Sequence, residues 1–355
     1  MGNFSISRKK TRKIPIGSLY IGGDAPILVQ SMTNTDTRDV KGTTEQIKRL
    51  EAAGCDIIRV AVLDMEAAEA VGEIKKAIKM PLVADIHFDY RLALRCMEKG
   101  VDKIRINPGN IGGMERVRKV AQMAKERNIP IRIGVNSGSV EKDILERYNG
   151  VTAEGMVESA LYHASLLEEC NFQNIAISIK ASNVPLTLAS YRMMSQKADY
   201  PLHLGVTEAG TVYKGTVKSS VGIGALLAEG IGDTIRVSLT GDPLEEIRAG
   251  IEILKSLELR KGGIEFISCP TCGRCRIDLI EIANSIEEKL QGVEANLKIA
   301  IMGCAVNGPG EARHADIGIA GGEGEALLFK KGEIVRKIPQ ERVVEEFLSE
   351  VMKMC

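Results

Sequence analysis

Four of the eight cysteines lie close together in the C-terminal part of the chain. Cys269, Cys272 and Cys275 are separated by two residues each, and Cys304 follows in a second segment rich in small residues. Thiolates at such a spacing can bind one metal centre, and a tight turn can bring Glu311 back toward Cys304. The pattern predicts an iron–sulfur cluster or a structural zinc site, and a redox-active dithiol is the remaining alternative.

Five cations stand in runs of aliphatic residues, where side chains are normally buried: Arg59, Arg105, Arg132, Lys180 and Arg236. A buried cation costs several kcal/mol unless an acid or an anion pairs with it. The acids near these runs, Asp56, Asp85 and Glu208, are fewer than the cations. Guanidinium groups suit phosphoryl oxygens, so the pattern predicts a diphosphate site, with structural ion pairs as the alternative.

Further polar residues follow the same aliphatic runs. Asp85, Asn107, Asn136 and Ser238 are candidate substrate-binding residues, and His87 and Glu208 are candidates for proton transfer. His163 and His203 have the pattern of ordinary core or surface residues. The segment 218–224 is expected to offer backbone N–H donors to phosphate ahead of a helix at Ala225, and a plain turn is the alternative.

Eight short apolar runs must position these side chains. They begin near Leu28, Ile57, Leu82, Lys103, Ile131, Ile175, Leu202 and Thr234, and amphipathic helical stretches separate them. Successive apolar residues are typical of strands that are covered on both faces. Eight strand–helix units in about 240 residues predict a (β/α)₈ TIM barrel, and an open doubly wound sheet is the alternative. In a barrel, the polar residues after the strands converge on one mouth.

A second, smaller unit is expected after the glycines at 262 and 263. Its pattern indicates strands at 264–267, 297–302 and 316–320, helices at 277–290 and 342–354, and a hairpin around Lys331 and Gly332. We therefore predict a barrel domain over residues 1–260 and a small α+β domain, which carries the cysteine cluster, over residues 261–355.

Composition argues against several other classes of protein. Lys plus Arg and Asp plus Glu number 47 each, which gives a net charge of zero, and there is no Trp. Nucleic-acid binding is therefore not expected. The N-terminus lacks the apolar run of a signal peptide, and no apolar stretch reaches the roughly 20 residues that span a bilayer. We expect a cytoplasmic protein without a membrane segment.

Six segments carry a resemblance to a known family. They are residues 30–37 (QSMTNTDT), 85–88 (DIHF), 105–110 (RINPGN), 203–210 (HLGVTEAG), 268–274 (SCPTCGR) and 303–311 (GCAVNGPGE). Together they resemble the bacterial 4-hydroxy-3-methylbut-2-enyl diphosphate synthases of the methylerythritol phosphate route to isoprenoids. The resemblance extends over nearly the whole chain.

This resemblance implies a reaction, a cofactor and partners. The reaction is the reductive ring opening and dehydration of 2-C-methyl-D-erythritol 2,4-cyclodiphosphate, with electrons from reduced flavodoxin or ferredoxin. The enzyme acts as a homodimer. A [4Fe-4S] cluster is implied, held by Cys269, Cys272, Cys304 and Glu311. The implied diphosphate ligands are Arg59, Arg105, Arg132, Asn136, Lys180, Arg236 and Ser238.

One residue departs from the family pattern. Cys275 stands where relatives usually have another residue, and it could compete with Glu311 for the fourth iron. We favour Glu311, because a carboxylate can leave its iron and open a site for a substrate oxygen. The rival functions are a phosphate-binding barrel enzyme stabilised by zinc, and an iron–sulfur electron carrier or redox sensor.

Overall fold

The computed structural model describes residues 6–290, 292–293, 295–304 and 312–355. The chain divides into two compact units, Met1–Arg260 and Lys261–Cys355. Each unit has its own hydrophobic core.

The first unit is a barrel of eight parallel strands. A hydrogen-bonded ladder joins neighbours in the order β8-β7-β6-β5-β4-β3-β10-β9, and a parallel bridge between Ile177 and Leu202 links β8 to the segment that leads into β9. The strands are β3 (Leu28–Met32), β4 (Ile57–Ala61), β5 (Leu82–Asp85), β6 (Lys103–Ile106), β7 (Ile131–Asn136), β8 (Ile175–Lys180), β9 (His203–Leu204) and β10 (Thr234–Ile235).

Helices follow the strands and cover the outside of the barrel. Side chains of Asp, Asn or Thr accept a backbone N–H at the start of several of them, as at Asp39, Asp64 and Asn183. The helices are α1 (Val40–Ala52), α2 (Met65–Ala77), α3 (Tyr90–Glu98), α4 (Met114–Glu126), α5 (Lys142–Arg147), α6 (Ala153–Glu168), α7 (Val184–Lys197), α8 (Val212–Ala228) and α9 (Pro243–Ser256).

Alternation along each strand separates two environments. Ile58 and Val60 on β4 and Ile104 and Ile106 on β6 belong to the main apolar core with the helices. Because successive side chains point to opposite faces, the residues between them face the barrel interior. Arg59 and Arg105 are therefore inward residues, and the same argument applies to Arg132 on β7, between Ile131 and Ile133.

A two-stranded hairpin precedes the barrel and was not predicted. Strands β1 (Ile14–Ile16) and β2 (Leu19–Ile21) pair antiparallel. Ile14, Ile16 and Ile21 are buried in a cluster with residues near the start of four barrel strands: Leu28, Ile57, Val83 and Ala176. The hairpin therefore packs against the N-terminal ends of the barrel strands, opposite the end where the strands terminate.

The predicted barrel is confirmed: seven of the predicted strand starts agree with the structure, and β9 begins one residue later than expected. One prediction was wrong. The segment 218–224 lies inside α8, so its backbone N–H groups are not free at a helix start. Gly222 instead allows α8 to pack closely against Val206, because a Cβ at this position would lie 2.6 Å from the Val206 side chain.

The second unit is an α+β structure around a five-stranded sheet in the order β11-β12-β13-β14-β15. Strands β11, β12 and β13 are parallel, whereas β14 and β15 form an antiparallel hairpin at Lys331 and Gly332. The elements are β11 (Ile264–Ser268), α10 (Leu279–Lys289), β12 (Leu297–Met302), β13 (Ile317–Gly321), β14 (Glu325–Lys330), β15 (Glu333–Pro339) and α11 (Val343–Met352).

Within the described residues, every helix is too short or too polar to cross a membrane.

We expect the substitution Ile16→Ala to lower the free energy of unfolding by about 3 kcal/mol, because it leaves a cavity where the hairpin contacts the barrel. Ile16 is fully buried, whereas Tyr20 in the same hairpin is exposed. Urea titration of both alanine variants tests this. A Tyr20→Ala variant that loses as much stability as Ile16→Ala would contradict the packing role of the hairpin.

Candidate active site

Five cations converge on the interior of the barrel toward the C-terminal ends of its strands. The ladder pairs Arg105 with Arg132, and Asn136 with Lys180, so these side chains lie at neighbouring positions on one inward surface. We call the group Arg59, Arg105, Arg132, Lys180 and Arg236 the cationic cluster.

Asp85 at the end of β5 is the carboxylate inside this cluster. Its oxygens lie 3.3 Å from Arg105 Nη1, 3.8 Å from Arg59 Nε and 3.7 Å from His87 Nε2. Burial by itself raises the pKa of Asp85, but the charge of Arg59, the hydrogen bond with His87 and the charge of Arg105 hold it well below its ordinary value. Asp85 is therefore ionised and balances part of the positive charge.

A second carboxylate comes from a helix and was missed by the sequence analysis. Glu246 on α9 is buried, with one oxygen 3.4 Å from Arg236 Nη2. Its other oxygen accepts a hydrogen bond from Ser31 at 3.0 Å. The signal was weak, because Glu246 lies in an acidic first helical turn that normally faces water.

Arg132 and Lys180 form no ion pair with any described residue. Burial and the charges of Arg59 and Arg105 lower the pKa of Arg132 well below its ordinary value. Burial, followed by the charges of Arg132 and Arg236, does the same for Lys180. These two groups lack the carboxylate that would compensate their burial, so they are the strongest candidates to contact an anion.

Two glycines make room for the cationic cluster. A Cβ at Gly134 on β7 would lie 2.6 Å from Nε of Arg105, and a Cβ at Gly205 would lie 2.5 Å from Nζ of Lys180. Arg105 also donates to the Gly134 carbonyl at 2.9 Å. The lack of a side chain on these inward positions therefore lets long cationic side chains extend across the barrel.

Asn107, Asn136 and Ser238 lie just beyond or at the ends of their strands. Asn107 is buried and accepts a hydrogen bond from the Gly134 N–H at 2.9 Å, which joins the ends of β6 and β7. The Asn136 backbone forms a capping box with Ser139. Ser238 is half-buried after β10. All three lie at the end of the barrel where Asp85 terminates β5.

The two candidates for proton transfer are accessible to solvent. The side chain of His87 is 55% exposed, and Arg105 Nη1 lies 3.5 Å from its Nδ1. Glu208 is exposed and has a φ of 52°, a left-handed conformation that is uncommon for residues other than Gly, Asn and Asp. Such strain persists where the surrounding structure holds it, and it is frequent at functional sites.

Asp56 contacts residues outside the cationic cluster. It accepts hydrogen bonds from Arg260 at 2.8 Å and from the backbone N–H of Val29 at 2.8 Å. Asp56 therefore does not compensate Arg59, because it precedes β4 and forms its contacts at the opposite end of the strand.

His163 ties together two loops that follow the barrel strands. Its Nδ1 accepts the Gly109 N–H at 3.0 Å, and its Nε2 lies 2.7 Å from Glu141. Gly109 is two residues beyond Asn107. A cavity of about 390 Å³ lies beside this contact and is lined by residues of both loops, including Asn110 and Arg147. None of the predicted site residues lines it, so we place the chemistry at the cationic cluster rather than in this cavity.

The cysteines of the second unit follow two adjacent parallel strands. Cys269 comes directly after β11 and Cys304 two residues after β12, and the ladder pairs Ser268 with Ile301. The Gly303 N–H donates to Cys269 Sγ at 3.1 Å. Hydrogen bonds from the backbone and side chain of Arg274 lower the pKa of the exposed Cys272 thiol, which favours the thiolate.

Glu311 lies outside the described residues. Within the described residues, no three His, Cys, Asp or Glu side chains are close enough to hold a metal ion. The donor set still fits a group bound by thiolates, since two cysteines leave the same edge of the sheet and a backbone N–H points at one sulfur.

Cys275 is turned toward the core of the second unit. Its Sγ donates to the Ile277 carbonyl at 3.2 Å, and a Cβ on Gly303 would lie 2.6 Å from it. It packs against the apolar core cluster. These contacts give Cys275 a structural role next to the segment that carries Cys269 and Cys272.

Comparison with known proteins now identifies the family. The sequence model of the GcpE TIM-barrel domain matches residues 11–251, and that of the GcpE protein C-terminal domain matches residues 265–353. The chain belongs to the GcpE family. Curated GcpE relatives are similar over almost their full length. A protein of Ruminiclostridium cellulolyticum is 71% identical over 98% of this chain and 99% of its own.

Two further relatives of the GcpE chain come from Clostridium acetobutylicum and Geobacillus kaustophilus. The first is 62% identical over 98% of this chain and 100% of its own, and the second is 59% identical over 99% and 94%. All three relatives are named 4-hydroxy-3-methylbut-2-en-1-yl diphosphate synthase (flavodoxin).

Solved structures resemble the barrel of the GcpE chain in fold alone. A dihydropteroate synthase of Xanthomonas albilineans aligns with a TM-score of 0.51 at 13% identity, over 69% of this chain and 97% of its own. A type I 3-dehydroquinate dehydratase of Clostridium difficile aligns with a TM-score of 0.50 at 15% identity, over 69% and 98%.

We expect Asp85→Asn to lower the free energy of unfolding at neutral pH by about 3 kcal/mol, because it leaves buried guanidinium groups without their carboxylate. The pKa of Asp85 is lower in the folded than in the unfolded protein, so its stabilisation is complete above about pH 4 and is lost as the pH falls. Urea titrations across this range should show the gap between wild type and variant narrowing below about pH 4. A gap that stays constant would refute the ion-pair account.

We expect Gly134→Ala to weaken the binding of inorganic pyrophosphate by about tenfold, because the new methyl group displaces the Arg105 guanidinium. Isothermal titration calorimetry measures this directly. Gly138→Ala is the matched control, since a Cβ at Gly138 meets nothing within 4 Å. Equal affinities of the two variants would show that Arg105 does not contact the anion.

Proposed function

We propose that this protein is a 4-hydroxy-3-methylbut-2-enyl diphosphate synthase. Its reaction is the reductive ring opening and dehydration of 2-C-methyl-D-erythritol 2,4-cyclodiphosphate. The observation that carries the proposal is a pair of buried basic residues at the mouth of the barrel, Arg132 and Lys180, which form no ion pair with any described carboxylate. The full-length similarity to relatives of this name supports the same reaction.

The cationic cluster binds the diphosphate. Asp85 and Glu246 are two carboxylates among five basic side chains, so the cluster has fewer acids than bases and favours a dianionic ring diphosphate. Arg105 and Arg236 are oriented by their carboxylates, whereas Arg132 and Lys180 are available to the phosphoryl oxygens. Asn107, Asn136 and Ser238 border the same mouth and orient the substrate by hydrogen bonds.

The second unit holds a [4Fe-4S] cluster in this proposal, with Cys269, Cys272, Cys304 and Glu311 as its ligands. The Gly303 N–H at Cys269 Sγ and the lowered pKa of Cys272 support thiolate ligation. The group supplies single electrons and a Lewis-acidic iron when it is bound. The hydrogen bond from Cys275 Sγ to the Ile277 carbonyl supports Glu311 as the fourth ligand.

The cyclic dianion takes up two electrons and one proton, a ring C–O bond to phosphate breaks, a hydroxyl leaves as water, and a linear trianionic diphosphate remains. His87 and Glu208 are the accessible groups that transfer protons at the mouth, and Asp85 orients His87. The reaction makes the protein an oxidoreductase. Reduced flavodoxin is the donor named for the relatives, and ferredoxin is the alternative.

The proposal includes a homodimer. Tyr213, Val217 and Val221 lie four residues apart along α8 and are 81%, 51% and 55% exposed. Such a stripe of apolar side chains on one helix face supports a subunit contact. Sedimentation equilibrium of the intact protein measures the oligomeric state.

We expect anaerobically purified wild type to convert the cyclic diphosphate with a chemical reductant, and Cys304→Ser to lose turnover together with iron, sulfide and visible absorption. Cys355→Ser is the matched control, because Cys355 is exposed and lies far along the chain from Cys269, Cys272 and Cys304. Zinc without iron would favour the zinc-stabilised barrel enzyme. Iron and sulfide without binding of the cyclic diphosphate would favour an electron carrier or redox sensor.

A further inference from the structure

Lys103 is a buried lysine that has no role in the proposed reaction. It opens β6, is 0% exposed, and its Nζ has no hydrogen-bond partner among the described residues. It lies two residues before Arg105, about 6.6 Å along the strand, and faces the same side. Lys103 therefore occupies the layer of the barrel interior directly below the cationic cluster.

The surroundings of Lys103 are cationic. Burial lowers the pKa of Lys103 well below its ordinary value, and the charges of Arg132 and Arg59 lower it further. Other unpartnered polar atoms face the same interior, on Gln30 and on His203 Nε2. Burial and the neighbouring cations, Lys180 foremost, also lower the pKa of His203, so this imidazole is neutral.

Among the described residues, no carboxylate forms an ion pair with Lys103. Asp85 and Glu246, by contrast, form ion pairs with arginines of the cationic cluster. Among the described residues, the titratable groups that face this part of the barrel are Arg59 on β4, Asp85 on β5, Arg105 on β6, Arg132 on β7, Lys180 on β8, His203 on β9, Arg236 directly after β10 and Glu246 on α9.

We propose that Lys103 is the floor of the anion site, uncharged in the ligand-free protein, and that it takes up a proton from solvent when a linear diphosphate lies above it. An arriving anion supplies the negative charge that the protein itself lacks at this layer, so it favours the ammonium form.

This assignment rests on the proposed function for its role in turnover. Opening the cyclic diphosphate converts a phosphodiester into a terminal phosphate and adds one ionisable oxygen. The ligand therefore becomes more negative during the reaction, from a dianion to a trianion. A lysine that is neutral beneath the cyclic ligand and charged beneath the linear one compensates this change inside a buried site, where charge is otherwise expensive.

The test uses Lys103→Met, which keeps the length of the side chain and removes the amine, with Lys125→Met on the exposed face of α4 as the matched control. Calorimetry with inorganic pyrophosphate, in buffers of different protonation enthalpy at one pH, counts the protons bound. Wild type and Lys125→Met should take up about one proton more than Lys103→Met. The affinity of Lys103→Met for pyrophosphate should fall by about tenfold, and its affinity for the cyclic diphosphate by less.

Thermal unfolding without ligand gives an independent readout. Replacing a buried, unpartnered amine by an apolar chain of similar shape should raise the melting temperature. A lower melting temperature, or failure to fold, would show that Lys103 is structural and would overturn the proposal. Equal proton uptake by wild type and Lys103→Met, or equal losses of affinity for the two ligands, would also overturn it.

The outcomes separate this inference from the proposed function. Pyrophosphate binding with lysine-dependent proton uptake, but no binding of the cyclic diphosphate, would reject the function and retain the anion-linked lysine. Turnover of the cyclic diphosphate with proton uptake that does not depend on Lys103 would retain the function and reject the lysine.

Discussion

Buried positive charge without matching carboxylates is the constraint on which the rest of the barrel depends. Apolar residues on the outward faces of the strands commit the chain to a sheet covered by helices, and the inward faces are left to a group of cations. Asp85 and Glu246 compensate some of them, whereas Arg132 and Lys180 form no ion pair with any residue that the structure describes. The protein folds despite the unfavourable free energy of these buried charges, because hydrophobic burial elsewhere is large. An anion that binds beside them reduces this free energy.

The two units use the same geometric rule for different chemistry. In the barrel, parallel strands end at one mouth, so side chains distant in sequence meet there. In the second unit, β11 and β12 are also parallel, and the residues after their C-terminal ends include Cys269 and Cys304. Parallel pairing with connections at the opposite ends therefore gathers polar ligands in both units. In the barrel, Arg59, Arg105, Arg132 and Lys180 lie within the strands, whereas in the second unit Cys269 and Cys304 lie in the loops that follow the strands.

Small residues and capping contacts set the details of the site. Gly134 and Gly205 have no side chains, and the long side chains of Arg105 and Lys180 occupy the space that this leaves. Glu246 reaches inward from α9 and joins Arg236 to Ser31, which couples strands β3 and β10. His163 holds the loops after β6 and β7 in one arrangement. These contacts restrict the cluster to few conformations and so reduce the ordering that a ligand must impose.

The sequence by itself determined the class of fold, and it predicted most of the residues that gather at the mouth of the barrel. Strand starts such as Ile57 and Ile131 follow from runs of aliphatic residues, and the arginines within those runs identify the inward face, because a strand alternates its sides every residue. The same local reasoning failed at 218–224, where a glycine pattern typical of a phosphate loop lies within α8 and serves helix packing. Only the tertiary structure decided the partners: Asp56 pairs with Arg260, Glu246 pairs with Arg236, and Lys103 has no carboxylate partner in the described part of the chain. Periodicity depends on neighbours along the chain, whereas ion pairing depends on distances between strands and helices far apart in sequence, which exist only after the barrel has closed.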